Sequence, residues 1–167
     1  MISQCDLPSK EGSNERSGNR TPMQWTPGPT AGFSTCRPEQ LYFPVATDGG
    51  RITVSEEEKD RHSVLNFVRS LVALRQSSAA LGNTGDWRLL SDVDKPYPLV
   101  YQRSAGDETY IIAVNPSSAS VRVNLPAISF CKGNTVSLVG KASCKPEKGS
   151  LDLRMGGVSA AVFKLRD

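Results

Sequence analysis

The sequence predicts an α+β chain: a long proline-stiffened loop, one amphipathic helix, then an antiparallel β-sandwich. Three observations predict it. Residues 1 to 50 are rich in Pro, Gly, Ser and Asn, and "NRTPMQWTPGPTAGFS" at 19 to 34 holds Pro22, Pro27 and Pro29, which no helix or central strand accommodates. Apolar residues then recur at helical spacing between Val64 and Leu74. Beyond residue 82 the period switches to two, the signature of half-buried strands.

The loop comes first. A segment this long without regular structure is uncommon inside a domain unless it is functional or disordered. Met23, Trp25 and Phe33 are residues a chain normally buries, and "QLYFPVA" at 40 to 46 is a short strand-like run, so a functional loop is the expectation. Met23 and Trp25 are expected to act as packing anchors.

The helix follows. Ser55 with Glu58 reads as a capping box, and Glu56 to Glu58 suit the positive end of the helix dipole. Asp60 and Ser63 are alternative caps for a second start. Val64, Phe67, Val68, Leu71 and Leu74 form a stripe widened by Leu65 and Val72, opposite Arg61, Asn66, Arg69 and Gln76. Burying each large apolar side chain is worth roughly 1.5–3 kcal/mol, so the stripe requires something to cover. The helix is expected to run to about Ser78 and to end at Gly82 and Gly85 in "ALGNTGDW". His62, at its start, is read as structural.

The strands complete the chain. In "SVRVNLP" Val121, Val123 and Leu125 share a face; Leu151, Leu153 and Met155, then Ala161, Phe163 and Leu165, alternate likewise. "TYIIAV" at 109 to 114 is apolar on both faces, as a central strand would be. Turn signals at 104 to 108, 115 to 118, 132 to 134 and 156 to 157 separate roughly six short strands, enough for a small antiparallel sandwich. Trp87, Tyr101, Tyr110 and Phe163 sit in strand runs and are expected in the core.

Composition excludes several classes. With 167 residues, 38% hydrophobic and 22% charged, the chain reads as globular. A net charge of +3, scattered without basic runs, argues against nucleic acid, and no apolar run is long enough to cross a membrane as a helix. The first residues lack a basic n-region and apolar core, so no signal peptide is read and a cytoplasmic location is expected, any leader lying upstream of the chain. Among the four cysteines no pair has C-x-x-C spacing, and His62 is the single histidine, so no metal site and no cofactor are expected. Cys131 and Cys144 flank "KGNTVSLVGKAS", a candidate hairpin; a disulfide between them and four free thiols in a reducing compartment are both compatible with the spacing. No phosphate loop, nucleophile elbow, metal pair or serine triad occurs.

"RTPMQW" at 20 to 25, "AGFS" at 31 to 34, "SVLNFVRSLVALR" at 63 to 75 and "LGNTGDW" at 81 to 87 together resemble the α-amylase superfamily. More narrowly they are similar to the α-glucosidase, oligo-1,6-glucosidase and trehalose-synthase branch of glycoside hydrolase family 13. The resemblance implies a (β/α)8 barrel whose eighth βα loop carries "RTPMQW" on the catalytic face. Residues 1–81 would then be the C-terminal remnant of that barrel, loop plus last helix, and residues 82–167 the β-sandwich domain. Met1 matches the methionine that ends the family's strand-eight segment, so a C-terminal fragment is expected. Family members use two carboxylates as nucleophile and general acid; neither an "NHD"-like nor a "GFRxD"-like string is present, so the expected catalytic set is none. The family's "RDxxR" pattern corresponds to "RSGNR", which makes Arg16 and Arg20 the candidate substrate-binding residues, with Ser17 replacing the aspartate that would orient Arg16. A guanidinium fork suits paired hydroxyls or a carboxylate. The implied partners are an α-gluco-oligosaccharide in the parent enzyme and the missing barrel. Trehalose-synthase-like transfer, and a non-catalytic relative acting as a binding partner, are the alternatives.

Overall fold

The computed structural model describes residues 21–45, 52–95, 97–126, 134–147 and 149–166. The chain divides into two compact units, Met1–Leu71 and Val72–Asp167.

In the first unit, helix α1 is the single turn Val54–Glu57. Its capping box is Thr53 with Glu56, two residues ahead of the Ser55–Glu58 pair that the sequence favours: Glu56 Oε2 accepts from Thr53 N at 2.9 Å, and Thr53 Oγ1 accepts from Glu56 N at 3.4 Å. The expected single helix is broken. After Glu57 the chain turns, and α2 begins again at Val64, running to Gln76. Ser63 caps this second start by accepting from Asn66 N at 3.2 Å, while its own hydroxyl donates to the Glu57 carbonyl at 2.7 Å. The Asn66 amide donates to the carbonyls of Glu57 and Asp60, each at 2.9 Å, so groups left open at the end of one helix are closed from the start of the next. An Arg69–Glu58 ion pair at 2.9 Å lies beside them. Along α2 no side chain is buried: Val64 is 71% exposed, and Phe67, Val68 and Val72 are about half exposed.

The second unit opens with the end of α2, residues 72–76, and a 3-10 turn at Ala79–Leu81, and is otherwise β. Eight strands are described: β1 Asp86–Leu89, β2 Leu99–Ala105, β3 Glu108–Asn115, β4 Val121–Pro126, β5 Thr135–Val139, β6 Ser143–Glu147, β7 Ser150–Met155 and β8 Ser159–Leu165. They form a five-stranded sheet in the order β1-β2-β3-β8-β5 and a three-stranded sheet in the order β4-β7-β6, antiparallel throughout. One core joins both. Val100, Ile111, Ala113, Ala161 and Phe163 come from the larger sheet; Leu125, Cys144, Leu151, Leu153 and Met155 come from the smaller. The alternation read from the sequence thus puts the predicted face inward on β4, β7 and β8. "QLYFPVA" forms no strand over the described residues 41–45.

Of the aromatics expected in the core, Phe163 is there, 1% exposed. Tyr110 is buried on the opposite face of its sheet, because Ile111 takes the inward position. Trp87 corrects the expectation: it is 57% exposed, on the outer side of edge strand β1, with its ring 6.2 Å from that of Tyr101. An edge strand with inward Arg88 and outward Trp87 carries no apolar alternation of its own, so strand location alone misplaces the ring.

Two side chains fasten residues 78–85 to the larger sheet. The Arg103 guanidinium donates to three main-chain carbonyls, Ala80 and Gly85 at 3.1 Å and Gly82. Gly85 permits this close path, since a Cβ there would lie 2.2 Å from the Ala80 carbonyl oxygen. Glu108 accepts from Ser78 Oγ at 2.6 Å, from Lys164 Nζ and from Tyr110 OH at 3.3 Å. The Lys164 hydrogen bond first, then that of Ser78, holds the Glu108 carboxyl below the usual carboxylate range, against a smaller opposing effect of burial.

Two predictions follow from these fasteners. Replacing Arg103→Ala leaves three carbonyls without their donor and should lower stability by about 2 kcal/mol in urea titrations; Arg103→Lys should recover less than half, because an ammonium cannot fork across three acceptors. For Glu108 the folded-state pKa is depressed, so its contribution is present above the unfolded value of about 4.3 and is lost as pH falls through the lower folded value. Urea midpoints measured at pH 6 and pH 3 should therefore drop more for the parent chain than for Glu108→Gln.

Candidate functional site

The sequence places candidate sugar contacts at Arg16 and Arg20; both lie outside the described residues. The geometry begins at Thr21, within the same hexapeptide. Trp25 N and Thr26 N both donate to the Ala31 carbonyl, at 2.8 and 3.1 Å, and close "TPGPT" into a tight loop. Ala31 N donates to Gly28 O at 3.1 Å, Phe33 N to Thr30 O at 2.9 Å, and Thr30 Oγ1 to Ser34 O at 2.8 Å. Ala31 at φ 52 and Gly32 at φ 65 are consecutive left-handed residues. For alanine that conformation costs roughly 1 kcal/mol, here set against a completely buried methyl group. At Gly32 a Cβ would meet Thr26 Oγ1 at 2.4 Å, so a larger residue requires that hydroxyl to move as well as a positive φ.

The base of the loop is tied to the helix that follows. Val54 N donates to Gln24 O at 2.9 Å and Ser55 N to Trp25 O at 3.0 Å, so Gln24 and Trp25 are held against the first turn of α1. The backbone is organised, but the side chains expected to anchor it are not covered. Met23, Trp25 and Phe33 are 51%, 49% and 53% exposed. His62 is exposed, and its backbone N–H donates to Asp60 Oδ1 at 2.8 Å.

Among the described residues the sandwich carries three cavities. The most open, about 740 Å³, lies between residues 120–122, 140–143 and 154–156. A second, about 680 Å³, runs along edge strand β4 and is walled by Ser91, Asp92, Lys95, Tyr97 and Pro98. The smallest, about 340 Å³, opens on the inner face of β1, β2 and β3 beside Gln102. On the outer face of the smaller sheet, Asp152 is covered by two arginines, with Arg122 Nε and Arg154 Nε each 2.8 Å from its carboxylate. The Arg122 hydrogen bond, with Arg154 adding to it, holds the Asp152 carboxyl below its ordinary range, and Asp152 in turn raises the Arg122 guanidinium. Cys144 is buried in the core, and the proposed pairing with Cys131 lies outside the described residues. Among the described residues no group of three or more His, Cys, Asp or Glu could hold a metal ion, and no helix is long and apolar enough to cross a membrane, which says nothing of strands.

Residues 3–84 match the family described as alpha amylase, catalytic domain, and residues 88–162 match the maltogenic amylase C-terminal domain, in that order along the chain. The chain belongs to the α-amylase family. It matches the family's C-terminal portion: the tail of the barrel region, then a β domain. Among relatives, it is 28% identical over 156 residues to trehalose synthase of Thermus thermophilus, covering 91% of this chain and 16% of that protein. Glucan 1,6-alpha-glucosidase of Streptococcus dysgalactiae subsp. equisimilis is 36% identical over 102 residues, covering 61% of this chain and 18% of that protein. The crystal structure of isomaltulose synthase from Klebsiella sp. LX3 superposes with a TM-score of 0.67 at 26% identity, over 91% of this chain and 26% of that one. The chain thus spans between 16% and 26% of the length of these α-amylase-family proteins.

Sequence reasoning missed the inner-face cavity beside Gln102 and the Arg122–Asp152–Arg154 cluster. The second had a readable signal, since Arg122 and Arg154 are outward residues of strands whose inward faces were identified. The first had none, because it depends on how far three strands cover five.

The half-exposed anchors generate a prediction for the loop. In hydrogen exchange on the monomeric chain, the amides of Trp25, Thr26, Ala31 and Phe33 should exchange well before those of Ile111, Ala113 and Phe163 in β3 and β8. Equal protection in both sets would show that the loop is held without any further cover.

Proposed function

We propose that the chain is the C-terminal part of an α-glucosidase-type enzyme acting on α-linked gluco-oligosaccharides. The observation that carries this reading is the "RTPMQW" loop, closed on Ala31 and tied to α1, inside the segment that matches the catalytic domain. Support comes from relatives named glucan 1,6-alpha-glucosidase and oligo-1,6-glucosidase. In this reading residues 1–81 belong to the barrel and residues 82–167 form the sandwich domain. The barrel is the partner that covers the apolar stripe of α2 together with Met23, Trp25 and Phe33. Arg16 and Arg20 are the substrate-binding residues, contacting sugar hydroxyls; for Arg20 an ion pair that fixes the loop is the alternative role. Catalysis needs a nucleophilic and an acidic carboxylate on either side of the glycosidic bond, and the motifs that carry them in this family do not occur between residues 1 and 167.

A second reading is favoured by the trehalose synthases among the relatives, one of which aligns over 91% of the chain. There the same loop would serve glucosyl transfer within a disaccharide instead of hydrolysis. A non-catalytic relative is the third outcome, in which the barrel keeps its shape and has lost its carboxylates.

The 167-residue chain alone should show no turnover of maltose, isomaltose or p-nitrophenyl α-glucoside. Activity that co-elutes with the chain through repurification would overturn the proposal. The coding sequence upstream of Met1 separates the two enzyme readings from the third, since both carboxylates support an enzyme and their replacement supports the binding partner.

A further inference from the structure

We propose that the smallest cavity of the sandwich is a binding site for a single sugar ring, with Asp86, Asp107 and Gln102 accepting hydrogen bonds from its hydroxyl groups. The starting observation is Gln102. It lines the cavity and is 8% exposed, and its Oε1 is the one buried side-chain nitrogen or oxygen among the described residues that has no hydrogen-bond partner. Its Nε2 donates to Ser104 Oγ at 3.3 Å. Turning the amide over would exchange the two atoms and still leave one unpaired, so the deficit does not depend on the orientation. A buried polar atom without a partner costs stability, and native chains keep few of them.

The surroundings state what would satisfy it. Asp86, Ser104 and Thr109 stand side by side on β1, β2 and β3, as the register pairs Asp86 with Ser104 and Ser104 with Thr109. Gln102 lies one inward position further along β2, Asp107 is in the turn between β2 and β3, and Leu165 of β8 supplies an apolar contact. The set is two carboxylates, one amide oxygen and two hydroxyls, and among the described residues no lysine or arginine lines the cavity. Such a site calls for a neutral ligand that brings several O–H donors, can accept from two hydroxyls, and has C–H surface for Leu165. A pyranose ring has all three properties. A metal ion fits poorly, because two carboxylates are too few to replace its hydration shell and the cavity of about 340 Å³ is far larger than an ion. The same volume lies at the lower end of the range for small-molecule sites. Since the last torsion of a glutamine is broad, a modest turn of the amide, at the cost of the long bond to Ser104, brings Oε1 to a ligand hydroxyl. The other groups project from paired strands, which hold their spacing without the ligand. The inference rests on this cavity alone and not on the activity proposed above, so either can fail without the other.

The test is a titration of the uniformly 15N-labelled 167-residue chain, with maltose in one arm and calcium chloride in the other. Saturable maltose-dependent shifts are expected at the Gln102 side-chain amide and the backbone amides of Ser104, Gly106 and Thr109, with a dissociation constant of about 1 mM. Asp86→Asn and Asp107→Asn, both at exposed positions, should each weaken binding about tenfold while the rest of the spectrum is unchanged. Absence of saturable shifts at about 100 mM maltose would overturn the proposal. So would equal affinity in both variants, or saturation of the same resonances by calcium but not by maltose.

Discussion

Everything in the second unit answers to one constraint: the inner faces of two unequal sheets must bury each other. Phe163 shows how tightly it binds. β8 lies between β3 and β5, so its inward side chains face the middle of the smaller sheet, where Leu151 and Leu153 are completely buried. A one-residue slip of β8 would turn Lys164 inward and Phe163 outward, which is why its register is specified strongly. The pairing of Ile111 with Phe163 and of Ala113 with Ala161 puts small and large residues in neighbouring rows. Interior packing of that kind is close to crystalline, and it leaves polar groups no place except where a partner has been provided.

That constraint also explains which parts were legible in the sequence. β4 and β7 carry apolar residues at every inward position, and β3 and β8 carry them at Ile111 and Ala113 and from Ala161 to Leu165, so these strands could be read directly. β1, with Asp86 and Arg88 inward, and β5, with Thr135 and Ser137 inward, could not, because these edge strands of the larger sheet carry polar residues at inward positions. Trp87 was misjudged for the same reason. In the helical part the composition was read correctly and the boundaries were not. Glu56, Glu57 and Glu58 all look like first-turn residues, and the choice among Thr53, Ser55 and Ser63 as caps rests on tertiary bonds such as those of Asn66, which sequence spacing does not reveal. Of the candidate site, "RTPMQW" was found by its resemblance to a family, while Arg16 and Arg20 rest on that resemblance alone.

The first unit presents the opposite physical situation. Its backbone groups are well satisfied: the loop closes on Ala31, and residues 24 and 25 bond to 54 and 55. Its large apolar side chains are not covered, with Met23, Trp25, Phe33, Val64 and Phe67 each about half exposed or more. Local hydrogen bonding can shape such a segment, but it does not supply the burial that offsets the entropy of ordering it. A chain that invests three prolines and a strained alanine in one loop, and then leaves the loop's aromatics in water, is shaped for a surface it must be given. On the reading proposed above, the barrel is that surface.

Polar groups buried in the sandwich make the last distinction. Asn115 is completely buried, and its amide is fully used: Nδ2 donates to the carbonyls of Ala119 and Gly156, each at 2.8 Å, and Oδ1 accepts from Ser117 N and Oγ. It thereby joins the β3–β4 turn to the β7–β8 turn. Asp152 is 2% exposed and receives an arginine on each carboxylate oxygen. In both residues every polar side-chain atom has at least one partner. Gln102 departs from this: its Oε1 has no partner, and the residue lines a cavity that also holds carboxylates and hydroxyls on the inner face of the larger sheet. An orphan in the middle of a tight core would be read as strain. An orphan at the wall of a polar cavity, in a fold that satisfies its other buried polar residues, is better read as a bond reserved for a ligand.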